Sequence, residues 1–462
     1  MILWLLAGTS CARFHPIPID PLQTAAAFEE RTLENLDLKE FLEIHLHHKI
    51  ASWPLQKWDP ETLTLVALYY HPDLDVARAR VGVVEAGITT AAERPNPTVN
   101  WTPEFISNAG AGVLPWTLGL LLDIPVETFG KRGDRITHAR QLSEKARLEL
   151  AETAWKIRSR LRKTLIEYLL AERERDLSQV EEGLRADFLV LKEERYRAGL
   201  TPFQEIHSAQ AELANVKQAA QAAEGLMEEK KVFLARSLGV PASAIEKKTI
   251  SWPELDSPLT LEELSSLDIQ KEGLLNRLDL RQALVDYAAT ESALQLEVAK
   301  QYPDLHLGPG YQWDQGDHRF ILGLSISLPI FNQNQGPIAE AEATRKQTQA
   351  KFLALQAEAI GEFEGALTRY DSALAQWEIA NQSLRELKKR QEDWMTPPTA
   401  GSIDPLSTLG MLIQQTVQTR ACLESLQAAQ IALGELEDTI QKPLGPNKAP
   451  YELQTTPERQ TP

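Results

Sequence analysis

Cysteine is nearly absent. Cys11 and Cys422 are the only two in 462 residues, and because Cys422 sits in an apolar helical pattern no structural disulfide is expected. The chain also lacks any apolar run of about eighteen residues, which excludes membrane-spanning helices and agrees with a mean hydropathy of −0.29. An excess of basic charge is missing: 48 Lys and Arg face 65 Asp and Glu, for a net charge of −17. A chain without a basic face is a poor partner for phosphate backbones, so nucleic acid is excluded. Gly (24) and Pro (27) are near average, which rules out collagen-like and low-complexity classes. No nucleophile–base–acid set, phosphate loop, Cys-x-x-Cys or paired carboxylates stand out, so neither an enzyme nor a cofactor is expected. Low hydropathy does not exclude a membrane β-barrel, whose strands leave a weak signal.

The N-terminus has export character. Met1 to Ala7 is apolar, and Gly8, Thr9 and Ser10 precede Cys11, the small-residue-then-cysteine order of a lipoprotein cleavage site. Cys11 is thus a candidate lipidation site. The basic n-region of a signal peptide is missing and the apolar stretch is short, so a start further upstream is expected. An ordinary terminus is the alternative.

The sequence repeats itself. Asp73-Leu74 matches Asp279-Leu280 and Pro97 matches Pro303, both pairs 206 residues apart; Pro125 matches Pro329 at 204, and Ala198-Gly199 matches Ala400-Gly401 at 202. Each copy orders a helix, two strands, a very long helix, a Gly turn and another long helix. The expected division is an export signal and linker over 1–30, a first repeat over 31–240, a connector over 241–270, a second repeat over 271–442, and a disordered Pro- and Thr-rich tail over 443–462. Strands are expected at about 97–105, 114–126, 303–313 and 319–330.

Those strands alternate with period two. Val99, Trp101, Pro103 and Phe105 interleave with Thr98, Asn100, Thr102 and Glu104; Trp116, Leu118, Leu120, Leu122 and Ile124 interleave with Thr117, Gly119, Leu121 and Asp123. The second copy does the same from Leu305 to Trp313 and from Phe320 to Leu328. A membrane barrel wall and a half-solvated soluble sheet both carry this pattern. In the barrel reading Trp101, Trp116, Tyr311 and Trp313 supply an interfacial girdle.

The helices favour an elongated object. Ile206, Ala209, Leu213, Val216, Ala220, Ala223 and Met227 keep a 3-4-3-4 spacing, repeated by Leu409, Leu412, Thr416, Thr419, Leu423 and Leu426. Such heptads mean coiled-coil packing. A helix from Asp134 to Arg197 spans roughly 95 Å at 1.5 Å per residue. At the first tip Gly199 is expected to end one helix in the left-handed region and Thr201 to cap the next, with Pro202 at its first position. Gly401 and Asp404-Pro405 repeat the device.

In order and duplication these residues resemble the TolC-type outer-membrane efflux proteins over nearly the whole chain. The carriers are Pro97, Ile124-Pro125 with Gly130-Lys131-Arg132, Tyr196-Arg197-Ala198-Gly199, Asp279-Leu280, Tyr302-Pro303-Asp304-Leu305 and Leu328-Pro329-Ile330-Phe331 with Gly336 and Ala339. Gly-Lys-Arg after the second strand most resembles the heavy-metal and cation branch. The resemblance implies a mainly α, internally duplicated protomer with a small β part. Its long coiled-coil hairpins form an α-barrel and its four strands cross the outer membrane. It further implies a homotrimer with a twelve-stranded barrel, serving as the passive exit duct of a tripartite pump, with a periplasmic adaptor and an inner-membrane pump as partners. The tips that meet the adaptor are, by motif match, Ala198, Gly199, Leu200 and Thr201 with Ala400, Gly401, Ser402 and Ile403. Where better-known members carry acidic rings this chain offers Asp404 and Ser407, and Asp404 serves equally as a helix N-cap.

His45, His47 and His48 invite a metal reading, but no Cys or carboxylate cluster accompanies them and only His45 and His48 share helical spacing; a solvated helix is expected. Lys388-Lys389-Arg390 reads as a wet helix face. A periplasmic adaptor would have one hairpin flanked by β-rich segments, and a cytosolic coiled-coil scaffold would not need the strand pairs. Both remain as alternatives to the channel.

Overall fold

The computed structural model describes residues 13–110, 112–265, 273, 275–395 and 404–444. Cys11, the second tip from Ala400 to Ile403, and the tail beyond Leu444 lie outside the described residues. Three short helices open the chain: α1 (Pro21–Glu29), α2 (Leu36–Leu46) and, after β1 (Lys57–Trp58), α3 (Pro60–Tyr70). The start of α3 is written in its sequence. The Asp59 carboxylate accepts from the Thr62 amide at 2.8 Å and the Thr62 hydroxyl accepts from the Asp59 amide at 3.1 Å, with Pro60 at the first position. This is a reciprocal cap ahead of a helix apolar on all sides. Such a helix must be buried, and Leu63, Val66 and Ala67 are fully so.

The duplicated unit follows. Its first copy is α4 (Pro72–Ala92), β2 (Thr98–Phe105), β3 (Trp116–Val126), α5 (Lys131–Arg197) and α6 (Phe203–Leu238). After β4 (Thr249–Ile250) and α7 (Leu261–Ser265), the second copy is α8 (Leu278–Ala299), β5 (Leu305–Asp314), β6 (Asp317–Ile326), α9 (Gln335–Met395) and α10 (Pro405–Ile440). At 67 residues, α5 is roughly 100 Å long. It begins three residues before the expected Asp134, behind Gly130 in the left-handed region.

The strands form one antiparallel sheet in the order β2-β3-β5-β6, two hairpins joined across the repeat boundary. Each strand falls within four residues of its expected limits. Helices line up in two rows: α4, α5, α8 and α9 beside the sheet, and α6, α5, α10 and α9 toward the tips. The heptad positions face inward, with Ile206, Ala209, Ala220, Ala223 and Met227 buried.

The main apolar core lies midway along the long helices and far from the sheet. Leu33, Leu38, Leu42, Trp58 and α3 pack against Leu161, Leu165, Ile166, Leu234 and Leu238. The stretch expected as a connector contributes Ile245 and Leu255 to this core, and its β4 pairs in parallel with β1. At the C-terminal side Leu444 is buried and its amide donates to Glu437 at 3.0 Å, so ordered packing runs past the expected end at 442.

Two carboxylates on one turn of α10 hold its end against α5. Glu437 is buried beside Arg158 at 3.0 Å and Arg162 at 3.5 Å. Burial pushes its carboxyl up, but the two guanidiniums and the Leu444 amide outweigh that and hold it below the ordinary carboxylate value. Its neighbour Asp438 accepts from Trp155 Nε1 at 2.9 Å and Ser159 Oγ at 2.5 Å, yet burial prevails and raises its pKa.

Candidate translocation path and hairpin tips

The sheet has two chemically distinct faces. Pairing sets Trp101 beside Leu120, Leu120 beside Tyr311 and Tyr311 beside Phe320, so one continuous face is apolar. Phe320, Leu322 and Leu324 are 86%, 85% and 68% exposed on it. All four expected girdle residues share this face. They cluster toward the end of the sheet that carries the β2–β3 and β5–β6 turns, with Trp116 against Phe105 at a ring separation of 5.0 Å.

Across the sheet, polar groups pair with one another. Thr117 Oγ1 donates to Asp314 at 2.8 Å, Arg319 binds Asp314 at 2.9 Å, and His306 Nδ1 lies 3.0 Å from Asp123. Glu104 is in register with Thr117, and Asp317 with Asp314. Leu121 breaks the polar run because Gly310 leaves room for it: a Cβ on Gly310 would sit 2.8 Å from Leu121 Cδ1. Among the described residues β2 and β6 each pair on one side only, leaving an open hydrogen-bonding edge at each end of the sheet.

Below the sheet the two repeats are tied by the motif residues. Lys131 Nζ donates to Tyr302 O at 2.6 Å and Asp304 Oδ1 at 2.8 Å, while the Thr128 amide donates to the same Asp304 oxygen at 3.0 Å. The Asp304 carboxyl is lowered against the push of burial by these donors. Gly130-Lys131 and Tyr302-Pro303-Asp304 were legible as motifs, and the ion pair is what they build.

At the first tip Gly199 adopts φ 73°. Its amide donates to Tyr196 O at 2.8 Å, and the Leu200 amide donates to Arg195 O at 2.9 Å, a Schellman termination that satisfies the last carbonyls of α5. Thr201 does not cap. Pro202 occupies the N-cap of α6 without a side-chain bond and Phe203 is the first helical residue, which leaves Thr201 one position ahead of the cap, where it is buried. Leu200 remains 68% exposed, beside Phe203 and Tyr196 with a ring separation of 5.7 Å.

Asp404 stands at the N-cap of α10 ahead of Pro405, but its carboxylate does not bond the backbone amides. It accepts from Ser407 Oγ at 3.3 Å and faces Arg195 at 3.3 Å. Arg195, which sequence reasoning missed, ties the end of α5 to the start of α10. No local signal marks it, since its partner is 209 residues away. In the row toward the tips, Arg420 of α10 similarly binds Glu174 at 2.7 Å and Glu181 at 3.0 Å on α5.

The histidines do not converge. His45 bonds Phe41 O at 2.8 Å, His48 bonds Leu46 O at 3.0 Å and His47 ends α2. No group of three metal-binding side chains occurs among the described residues. No described helix is long and apolar enough to cross a membrane.

A two-faced, open-edged sheet continuing into paired long hairpins is found in known proteins. The family profile described as "Outer membrane efflux protein" matches residues 65–240 and 270–392. The chain belongs to the outer membrane efflux protein family. Among curated relatives, the cobalt-zinc-cadmium resistance protein CzcC of Cupriavidus metallidurans is 27% identical over 303 residues, covering 61% of this chain. The chain spans 65% of that protein's length. The fold matches the outer membrane protein VceC of Vibrio cholerae at TM-score 0.64 and 20% identity, covering 82% of this chain and 95% of that one. It matches the open-state MtrE outer membrane channel of Neisseria gonorrhoeae at TM-score 0.63 and 16% identity, covering 82% and 88%. The mainly α architecture with a small β part, read from the sequence, is the TolC-type channel fold.

Proposed function

We propose that three copies of this chain form an outer-membrane exit duct for a tripartite pump, and that its cargo is divalent transition-metal cations. The carrying observation is the sheet with one apolar face and two unpaired edges. Lipid tolerates no open edge, so four strands must find more of their kind, and three copies supply twelve. The apolar face with Trp101, Trp116, Tyr311 and Trp313 then meets lipid. The opposite face, carrying Glu104, Asp123, Asp314 and Asp317 against Arg319 alone, lines the lumen with negative charge that favours cations. The likeness to a cobalt-zinc-cadmium resistance protein supports the cargo class.

Most of the chain then lies in the periplasm. Ala198, Gly199, Leu200 and Thr201, with Ala400, Gly401, Ser402 and Ile403, form the end that receives the periplasmic adaptor and through it the inner-membrane pump. Asp404 and Ser407 narrow the pore there, and Cys11 carries the lipid. Single-channel recording of the purified protein in planar bilayers, with reversal potentials in asymmetric salt, tests the duct. Cation-selective conductance is expected, and a protein that inserts without conducting would sink the proposal. Deleting the gene should raise intracellular zinc or cobalt under metal challenge; unchanged levels would remove the metal assignment alone.

Facing is testable with neighbouring residues. Leu322→Arg, on the lipid face near mid-strand, is expected to cost about 2–4 kcal/mol and to deplete the protein from the outer membrane on immunoblots. Ile321→Arg, one residue away on the lumenal face, should leave its level unchanged. Equal depletion by both would contradict the assignment of faces.

A further inference from the structure

Of the nine histidines in the chain, two lie on the four-stranded sheet, and they stand on opposite faces. His318 is in register with Trp313 on the apolar face, and its Nδ1 meets the Tyr311 hydroxyl at 2.5 Å. His306 is the second residue of β5. It lies on the polar face, at the end where the sheet passes into the long helices.

Its surroundings leave one ring nitrogen open. The two Asp123 carboxylate oxygens lie 3.0 and 3.3 Å from His306 Nδ1, and because a carboxylate only accepts, the Nδ1 position carries the proton. In the neutral ring Nε2 is then a bare lone pair. Among the described residues nothing hydrogen-bonds that atom: both bonds of the ring are made by Nδ1, and the in-register neighbours are Pro125 and Ser325. The imidazole is 41% exposed over the polar face. Strand register builds the pair. Leu121 beside Gly310 and Ile124 beside Leu307 put Asp123 opposite Gly308, which has no side chain to stand between the carboxylate and His306. Asp304, two residues before His306, is taken by Lys131 and the Thr128 amide. Each copy thus presents one oriented imidazole and not a cage of ligands.

We propose that His306 Nε2, oriented by Asp123, is a passing ligand for the divalent transition-metal cations that the duct conducts. A carboxylate on the far nitrogen fixes the tautomer of metal-binding histidines and raises their basicity. Imidazole suits zinc, copper and nickel, whereas magnesium and calcium take oxygen ligands. Glu104, Asp314 and Asp317, toward the other end of the sheet, attract cations of either kind. A conducting site must also release what it binds. One imidazole with water in the remaining positions meets that condition, where the four ligands of a closed zinc site would trap the ion. Symmetry sets the imidazoles of all copies at one level, the mouth between helical tunnel and barrel. The proposal rests on the reading of the chain as a cation duct, and it names the residue in that duct that tells transition metals from other divalent ions.

Block of potassium current by added zinc, measured on the purified protein in planar bilayers, tests it. Zinc is expected to reduce the wild-type current at concentrations at which magnesium does not. Asp123→Asn should raise the zinc concentration for half block about 10-fold. His306→Gln and His306→Phe, each read against its own zinc-free current, should lose the block, and His318→Phe, on the apolar face, should keep it. Equal block by magnesium, no zinc block of the wild type, or full zinc block in both His306 variants overturns the site while the conducting duct stands. A wild-type protein that inserts without conducting overturns the duct reading, and the site with it.

Discussion

Glu437→Gln is expected to destabilise the helical body by about 3–5 kcal/mol, because it leaves the Arg158 and Arg162 guanidiniums in a buried site without their counter-charge. Both arginines are nearly inaccessible, and the carboxylate that serves them is 3% exposed. Neutralising the next residue, Asp438→Asn, is expected to cost under about 1 kcal/mol, since burial already opposes its charge and a carboxamide oxygen still accepts from Trp155. Thermal unfolding followed by circular dichroism in detergent distinguishes them. A smaller loss for Glu437→Gln than for Asp438→Asn would show that the buried pair does not hold α10 to α5.

The two carboxylates also have opposite pH signatures. Glu437 titrates lower in the folded chain than in the unfolded one, so its contribution is complete above the ordinary carboxylate pKa and lost as pH falls through its depressed value. Asp438 titrates higher, so its contribution is present below the ordinary value and lost as pH rises through the elevated one. Glu437→Gln should therefore flatten the acid side of the stability profile. Asp438→Asn should remove the decline that sets in above the ordinary carboxylate range.

Gly199→Val is expected to abolish export while leaving the protein in the outer membrane. At φ 73° a β-branched residue pays roughly 1–2 kcal/mol in backbone strain, and the turn escapes by unwinding the last turn of α5. No atom lies within 4 Å of a Cβ built at Gly199, so the effect is conformational and not steric crowding. Asn tolerates the left-handed region, and Gly199→Asn should retain most transport. Metal accumulation in cells, read beside immunoblots of outer membranes, is the measurement. Full export by the Val variant would mean that tip geometry is not used in coupling. By motif match Gly401→Val should behave likewise.

The comparison of Thr201 with Gly199 shows how far local sequence reaches. Gly199 was legible because a left-handed helix end has a residue-level cause. Thr201 does not cap α6, because the helix starts one residue later than the Thr-Pro pattern suggests, with Pro202 at the N-cap. Asp404 is similar. Its place at the start of α10 follows from Asp-Pro, but its carboxylate turned to Arg195, across the hairpin pair, and nothing near either residue announces that contact.

What the sequence determined by itself is whatever repeats locally: strand faces with period two, helix seams with heptad spacing, the helix end at Gly199, and the duplication that orders them. These depend on backbone geometry and on burial along one element, and both are encoded within a few residues. The tertiary structure alone decided the pairing of β3 with β5 across the repeat boundary, the ordered core of the connector, and the ion pairs Lys131–Asp304, Arg195–Asp404 and Glu437 with its arginines. The strand pairing and the ion pairs each join residues more than 150 positions apart, where partner choice is set by how whole elements dock and not by the pattern within any of them.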